Sequence, residues 1–213
     1  AEEQDLFCMT LTDGAGEILW QVGEPWALER PFSWNGGDFC EITDVDGDGR
    51  VEIMLIHKSE LRVYDGVTGA LRRTHAMPHA GFYFTRAVRT DRSGRLHIFT
   101  KSVTSSNTHS YGNPSLLLDH DFNVVWEKEV DGAGHSGNCV DVDGDVLDEL
   151  LIGFSLFDHD GSPLWSHKPM SKGDHLDFSA IADIDDDGHF EFGLAHDGHD
   201  AVVHNHDGTE RFR

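Results

Sequence analysis

Three nine-residue stretches of this chain place carboxylates where a hard cation takes its ligands. They are Asp44-Val-Asp46-Gly-Asp48-Gly-Arg50-Val-Glu52, Asp141-Val-Asp143-Gly-Asp145-Val-Leu-Asp-Glu149 and Asp183-Ile-Asp185-Asp-Asp187-Gly-His-Phe-Glu191. Acids at the first, third, fifth and ninth positions repel one another unless a cation sits among them, and Ca2+ takes about six to eight oxygens. Glycine at the sixth position permits a sharp turn, although Val146 stands there in the second copy. The acidic end comes earlier than in a helix-flanked EF-hand loop, which excludes that motif. The expected ligands are Asp44, Asp46, Asp48 and Glu52, joined by the Arg50 carbonyl; then Asp141, Asp143, Asp145 and Glu149; then Asp183, Asp185, Asp187 and Glu191. A fourth copy (Arg89, Asp91, Ser93, Gly94, His97) has lost this set, and its arginine is expected to stand in for the ion's charge. The plain alternative for all of these is a solvated acidic turn.

A second group of residues suits metal or acid–base chemistry. His135, His175, Asp177, His196 and Asp197 fall at matching offsets before and after the acidic loops. Imidazole and carboxylate together bind several divalent ions and can move protons. With 15 histidines in the chain, chance surface placement is the competing reading. The polar insertion 101–114 could bring His109 and Tyr111 to a cleft. The stretch 77–86, ending at Arg86, mixes aromatic and basic residues in a way that suits sugars, or else packs as core. Ten of the sixteen basic residues lie between Arg50 and Lys101, which suggests a local positive patch able to receive a carboxylated substrate.

The elements that must position these groups are short strands. Each acidic loop is followed by an apolar run, such as Ile53-Met-Leu-Ile56 or Leu150-Leu-Ile152. A second signal recurs in phase: an Asp- or Asn-rich turn and a short strand, as in Asp158-His-Asp-Gly-Ser-Pro-Leu-Trp165. The loops begin at 44, 89, 141 and 183, so each unit of about 46 residues carries four strands, A to D. The acidic loop joins A to B, and the Asp-Gly turn joins C to D. This predicts an all-β chain, a β-propeller of four-stranded blades with calcium-binding A–B loops. A β-sandwich and an open solenoid are the alternatives. About four and a half blades are present within 1–213, read as one propeller domain or a fragment of one. The expected whole is a seven- or eight-bladed ring, with a closed four-bladed ring also possible. Because A starts and B ends at one end of a hairpin, the His/Asp residues should converge on the face opposite the calcium loops.

Composition bounds the partners. The formal charge is −23, from 16 basic and 39 acidic residues, so nothing would neutralise nucleic-acid phosphates or favour an anionic membrane surface. No apolar run is long enough for a transmembrane helix. Cys8, Cys40 and Cys139 form no CxxC pair and define no disulfide framework.

The Asp-x-Asp-Gly-Asp-Gly-x-x-Glu loops resemble those of FG-GAP/VCBS-type calcium-binding propellers. More narrowly, residues 134–208 resemble eight-bladed, calcium-dependent rhamnogalacturonan lyases (polysaccharide lyase family 11). The matching features are Gly134-His135 before the Asp141 loop, the Asp158-His-Asp-Gly turn, His175-Leu-Asp177 before the Asp183 loop, and His196-Asp197. The resemblance implies an active-site metal on His135, His175, Asp177 and Asp197. Leu176 replaces the family's glycine, Asp197 its glutamate, and Ala180 its second histidine. A looser likeness to propeller lyases that cut rhamnose–glucuronate bonds implies roles for His109, Tyr111 and Arg86. The implied activity is calcium-dependent β-elimination on an acidic polysaccharide or oligosaccharide by a monomer that is secreted or periplasmic. A non-catalytic calcium-stabilised propeller that binds carbohydrate or protein, and a hydrolase using the same face, remain as alternatives.

Overall fold

The computed structural model describes residues 8–24, 40–103, 111–169, 175–195 and 201–213. Every regular element among them is a strand, and no helix long and apolar enough to cross a membrane is present among them. A hairpin of β1 (Cys8–Thr12) and β2 (Ile18–Gly23) comes first. Four antiparallel meanders follow, each of four strands in sequence order. The first is β3 (Glu41–Thr43), β4 (Glu52–His57), β5 (Glu60–Asp65) and β6 (Leu71–Ala76). The second is β7 (Phe84–Val88), β8 (His97–Lys101), β9 (Ser115–Leu118) and β10 (Val124–Lys128). The third is β11 (Gly137–Val140), β12 (Glu149–Ile152), β13 (Ser155–Phe157) and β14 (Pro163–Ser166). The fourth is β15 (Phe178–Ala182), β16 (Glu191–Ala195), β17 (Val202–His204) and β18 (Glu210–Phe212). The expected strand order within a unit is thus observed, and the last unit is a full four-stranded sheet.

Apolar runs dictate how the sheets meet. The middle strands β4, β8, β9 and β12 are buried almost throughout, which requires cover on both faces. The sheets supply it by stacking. Ile53, Leu55 and Tyr64 pack against Met9, Trp20 and Val22 of the hairpin. Met54, Ile56, Leu61 and Val63 meet Ile98, Leu116 and Leu118 of the second sheet. Phe84, Phe99 and Leu117 meet Leu150, Ile152 and Phe157 of the third. Leu151, Phe154 and Leu156 meet Phe192 and Leu194 of the fourth. Last strands such as β6 and β18 are exposed, as outer edges are. First strands lie side by side, with β7 against β3 and β11, and β11 against β15. On β15, Phe178 is 75% exposed, so the outer face of the fourth sheet is uncovered.

The stretch 77–86 packs mainly as core. Met77, Phe82 and Phe84 are buried, and Tyr83 turns its hydroxyl inward to donate to the Gly134 carbonyl (2.9 Å). The expected positive patch is partly neutralised. Arg62 pairs with Glu60, Arg72 with Asp65, Arg86 with Glu41 and Arg95 with Asp121, while Lys101 is fully buried.

Candidate functional site

The three acidic loops share one local design. Asp44 accepts from Gly47 N–H (2.8 Å) and Gly49 N–H (2.8 Å), and Asp141 from Gly144 (2.7 Å) and Val146 (2.9 Å). Asp183 accepts from Gly188 (2.9 Å). The closing glutamate reaches back to the start of each loop: Glu52 to Val45 N–H, Glu149 to Val142 and Glu191 to Ile184. Position six needs positive φ, which Gly49 (86°) and Gly188 (89°) adopt freely; Val146 is held there at 80°.

Ligand oxygens cluster in each loop, though not with the full expected sets. Asp44, Asp46 and Asp48 bring oxygens within 4.8 Å of one another, with Glu52 outside the group. Asp141, Asp143 and Glu149 form the second group, and Asp183, Asp185 and Glu191 the third. Asp145 instead groups with Glu149 and His159. Asp187 stands outside its group and accepts from His189 N–H (2.8 Å). Arg50 takes part through its N–H, donated to Asp48 (2.8 Å). In the degenerate copy Arg89 bonds through its backbone to Asp148, and the guanidinium that reaches a neighbouring loop is that of Arg92, on the Asp145 carbonyl (3.1 Å). Several of these clusters could hold a metal ion.

Glu149 records the cost of this crowding. Burial, together with Asp143, Asp158 and Asp141, pushes its carboxyl up to about 7 against the opposing Val142 bond. In ion-free protein the native state therefore holds a proton there that the unfolded chain, with an ordinary carboxyl, releases lower down the pH scale. Its contribution to stability is full at low pH and falls as pH rises from about 4.5 to about 7, by on the order of 3 kcal/mol. Glu149→Gln removes this slope. The stability gap between variant and parent in chelator should widen across that window in urea titrations; a constant gap would count against it.

At the opposite end of the hairpins the histidines converge. His135 precedes β11, while His175 and Asp177 precede β15. The two imidazole Nε2 atoms are 3.2 Å apart, and Asp177 Oδ1 lies 3.7 Å from His135 and 3.4 Å from His175. Two nitrogens this close can share a proton or a metal ion but cannot both carry a proton toward each other. Burial, then the neighbouring His175, lowers the basicity of His135. Tyr111, from the loop before β9, stacks on His175 (5.2 Å between centroids) and leans on His135 (4.7 Å).

Backbone contacts hold this group. His135 N–H donates to the Leu176 carbonyl (2.8 Å), Leu176 N–H to Gly132 (3.0 Å) and Gly134 N–H to Tyr111 (2.9 Å). Lys101, at the end of β8, donates to the carbonyls of Ala133 and Ser136, each at 2.6 Å. Its burial lowers the ammonium to about 7. Sequence reading missed Lys101 as a positioning residue; the available signal was a lysine closing the apolar strand His97-Ile-Phe-Thr-Lys101.

Arg86 does not join the histidines. It lies within β7, and its guanidinium pairs with Glu41 (2.9 Å) across the neighbouring first strands. His109, His196 and Asp197 lie outside the described residues.

No family model matches the chain, and no curated protein matches it. Solved structures do resemble it. The rhamnogalacturonan lyase of Bacillus licheniformis (family PL11) gives a TM-score of 0.66 at 18% identity, covering 95% of this chain and 43% of that one. The exotype rhamnogalacturonan lyase YesX gives 0.65 at 18% identity, with 95% and 42% covered. The V. cholerae biofilm matrix protein Bap1 gives 0.59 at 17% identity, with 81% and 27% covered. The chain thus spans less than half the length of each, and at these identities the likeness is one of fold.

Proposed function

We propose that this chain is the calcium-loaded propeller portion of a polysaccharide lyase that cleaves a uronate-containing glycan, rhamnogalacturonan-like or rhamnose–glucuronate, by β-elimination. The observation that carries the reading is the meeting of His135, His175, Asp177 and Tyr111 at one end of the stacked sheets. Side-by-side first strands and serial face-to-face packing support blades around an axis, within a seven- or eight-bladed ring. The oxygen-rich loops favour Ca2+ as the ion of the opposite end.

The donor set fits a divalent ion: two imidazole nitrogens and a carboxylate oxygen lie within 3.2–3.7 Å of one another. Such an ion, held by His135, His175 and Asp177, supplies the positive charge that pairs with the uronate carboxylate and acidifies the proton beside it. That charge matters, because the chain carries −23 and Arg86 is engaged by Glu41. Tyr111, 50% exposed against both imidazoles, would take up the C5 proton as its phenolate. As the C5–H bond breaks, a C4=C5 double bond forms. The C4–O bond to the leaving sugar breaks, and its oxygen takes up a proton from water. Such a polymer substrate suits a secreted or periplasmic monomer.

The test is ultraviolet absorbance of the unsaturated uronate, with both glycan classes, using the complete reading frame. Turnover should require a divalent ion and fall by about a hundredfold or more in His135→Ala and His175→Ala, each with its fold retained. Wild-type turnover in both variants removes the site assignment. A non-catalytic glycan-binding propeller is the second reading, favoured by the pairing of Arg86 and by the acidic charge. Binding without an unsaturated product would establish it.

A further inference from the structure

In the fourth sheet, Arg211 sits in the bulge of β18, and its guanidinium meets Asp185 (2.5 Å) and Glu191 Oε1 (3.1 Å). The matching bulge of β14 holds Leu164, which is exposed. Glu149 Oε2 accepts from Val142 N–H (2.7 Å), but Oε1 is buried without a hydrogen-bond partner on a residue only 1% exposed. A carboxylate oxygen sealed from water without a donor or cation is costly. His159, from the turn between β13 and β14, comes to the same place. One ligand atom each from Asp145, Glu149 and His159 lies within 4.8 Å of the others. His159 Nδ1 is also buried without a hydrogen bond, since Asp158 Oδ1, 2.6 Å away, is out of line. In the first sheet Gly66 occupies the position of His159, and in the fourth His206 stacks on His189 at 4.3 Å. Among the described residues, only the third sheet joins an imidazole to its acidic loop in this way.

We propose that Asp145, Glu149 and His159 form a mixed nitrogen–oxygen site for a first-row divalent transition ion, with Zn2+ as the probe. It lies beside the oxygen-only set of Asp141, Asp143 and Glu149 and shares Glu149 with it. An imidazole donor is what separates the two chemistries: Ca2+ takes oxygen ligands, whereas nitrogen with carboxylate suits Zn2+ and its neighbours in the row. The proposal is independent of the lyase reading, because its readout is ion binding.

Zn2+ is titrated into the Ca2+-saturated full chain carrying His135→Ala and His175→Ala, which silences the His135–His175 group, and into the same chain with His159→Gln. One equivalent of Zn2+ should bind in the face of millimolar Ca2+, and His159→Gln should weaken it by about tenfold or more. A second variant, Leu164→Arg, supplies the cation that Arg211 provides in the fourth sheet and should also displace Zn2+. If the double-alanine background does not fold, the wild-type background reads the same change as the loss of one of two equivalents. Equal Zn2+ affinity with and without His159, or full displacement of Zn2+ by Ca2+, overturns the site.

Discussion

Chelation of the ion-loaded chain should lower its melting temperature by on the order of 15–30 °C. A ligand that binds only the native state adds about 2.7 kcal/mol per site at one hundred times its dissociation constant, so three sites add about 8 kcal/mol. A domain of this size shifts by about 2–4 °C per kcal/mol. The local reason is visible in each loop. Ligand oxygens of Asp44, Asp46 and Asp48, or of Asp183, Asp185 and Glu191, are gathered within 4.8 Å. Backbone N–H groups hold the carboxylates there. Removing the ions releases the carboxylates' repulsion at the turn joining the first two strands of three sheets, whose packing is serial. Thermal melts with and without EDTA, with metal content measured, decide the matter. An unchanged melt in verified metal-free protein sinks structural calcium, and full rescue by Mg2+ would argue against a site built for the larger ion.

Gly134→Ala is the substitution expected to cost the most at the histidine end, about 2–5 kcal/mol. Gly134 adopts a φ of 67°, and a Cβ there would meet the Leu176 carbonyl oxygen at 1.9 Å and its nitrogen at 2.5 Å. Both are backbone atoms, so no side chain can swing aside. The His135–Leu176 hydrogen bond would have to open, and with it the approach of His135 to His175. Gly16→Ala is the control. It has a comparable φ of 88° but open space around it, so it pays for backbone strain alone, about 1 kcal/mol. Urea unfolding compares the two, and divalent-ion binding at the histidines should be lost only in Gly134→Ala. Equal destabilisation by both would mean that the close approach is not rigid.

What the sequence determined by itself was local. The acidic spacing, the Asp-Gly turns and the apolar runs set the A-to-D strand order, because a strand's period and a turn's φ requirements are written in neighbouring residues. The offsets of His135, His175 and Asp177 from their loops placed them at one end of the hairpins for the same reason. Tertiary structure decided what each side chain met across sheets. It paired Arg86 with Glu41, a residue of another first strand, and so withdrew it from the histidines. It buried Lys101 against the segment carrying His135, and buried most of the aromatic residues of 77–86 that could equally have faced a sugar. It split the second loop into two groups that share Glu149, one with Asp141 and Asp143 and one with Asp145 and His159. These outcomes depend on which faces stack and on where one bulge carries leucine in place of arginine. Such contacts join residues from 14 (Asp145 and His159) to 45 (Arg86 and Glu41) positions apart, and no local pattern encodes them.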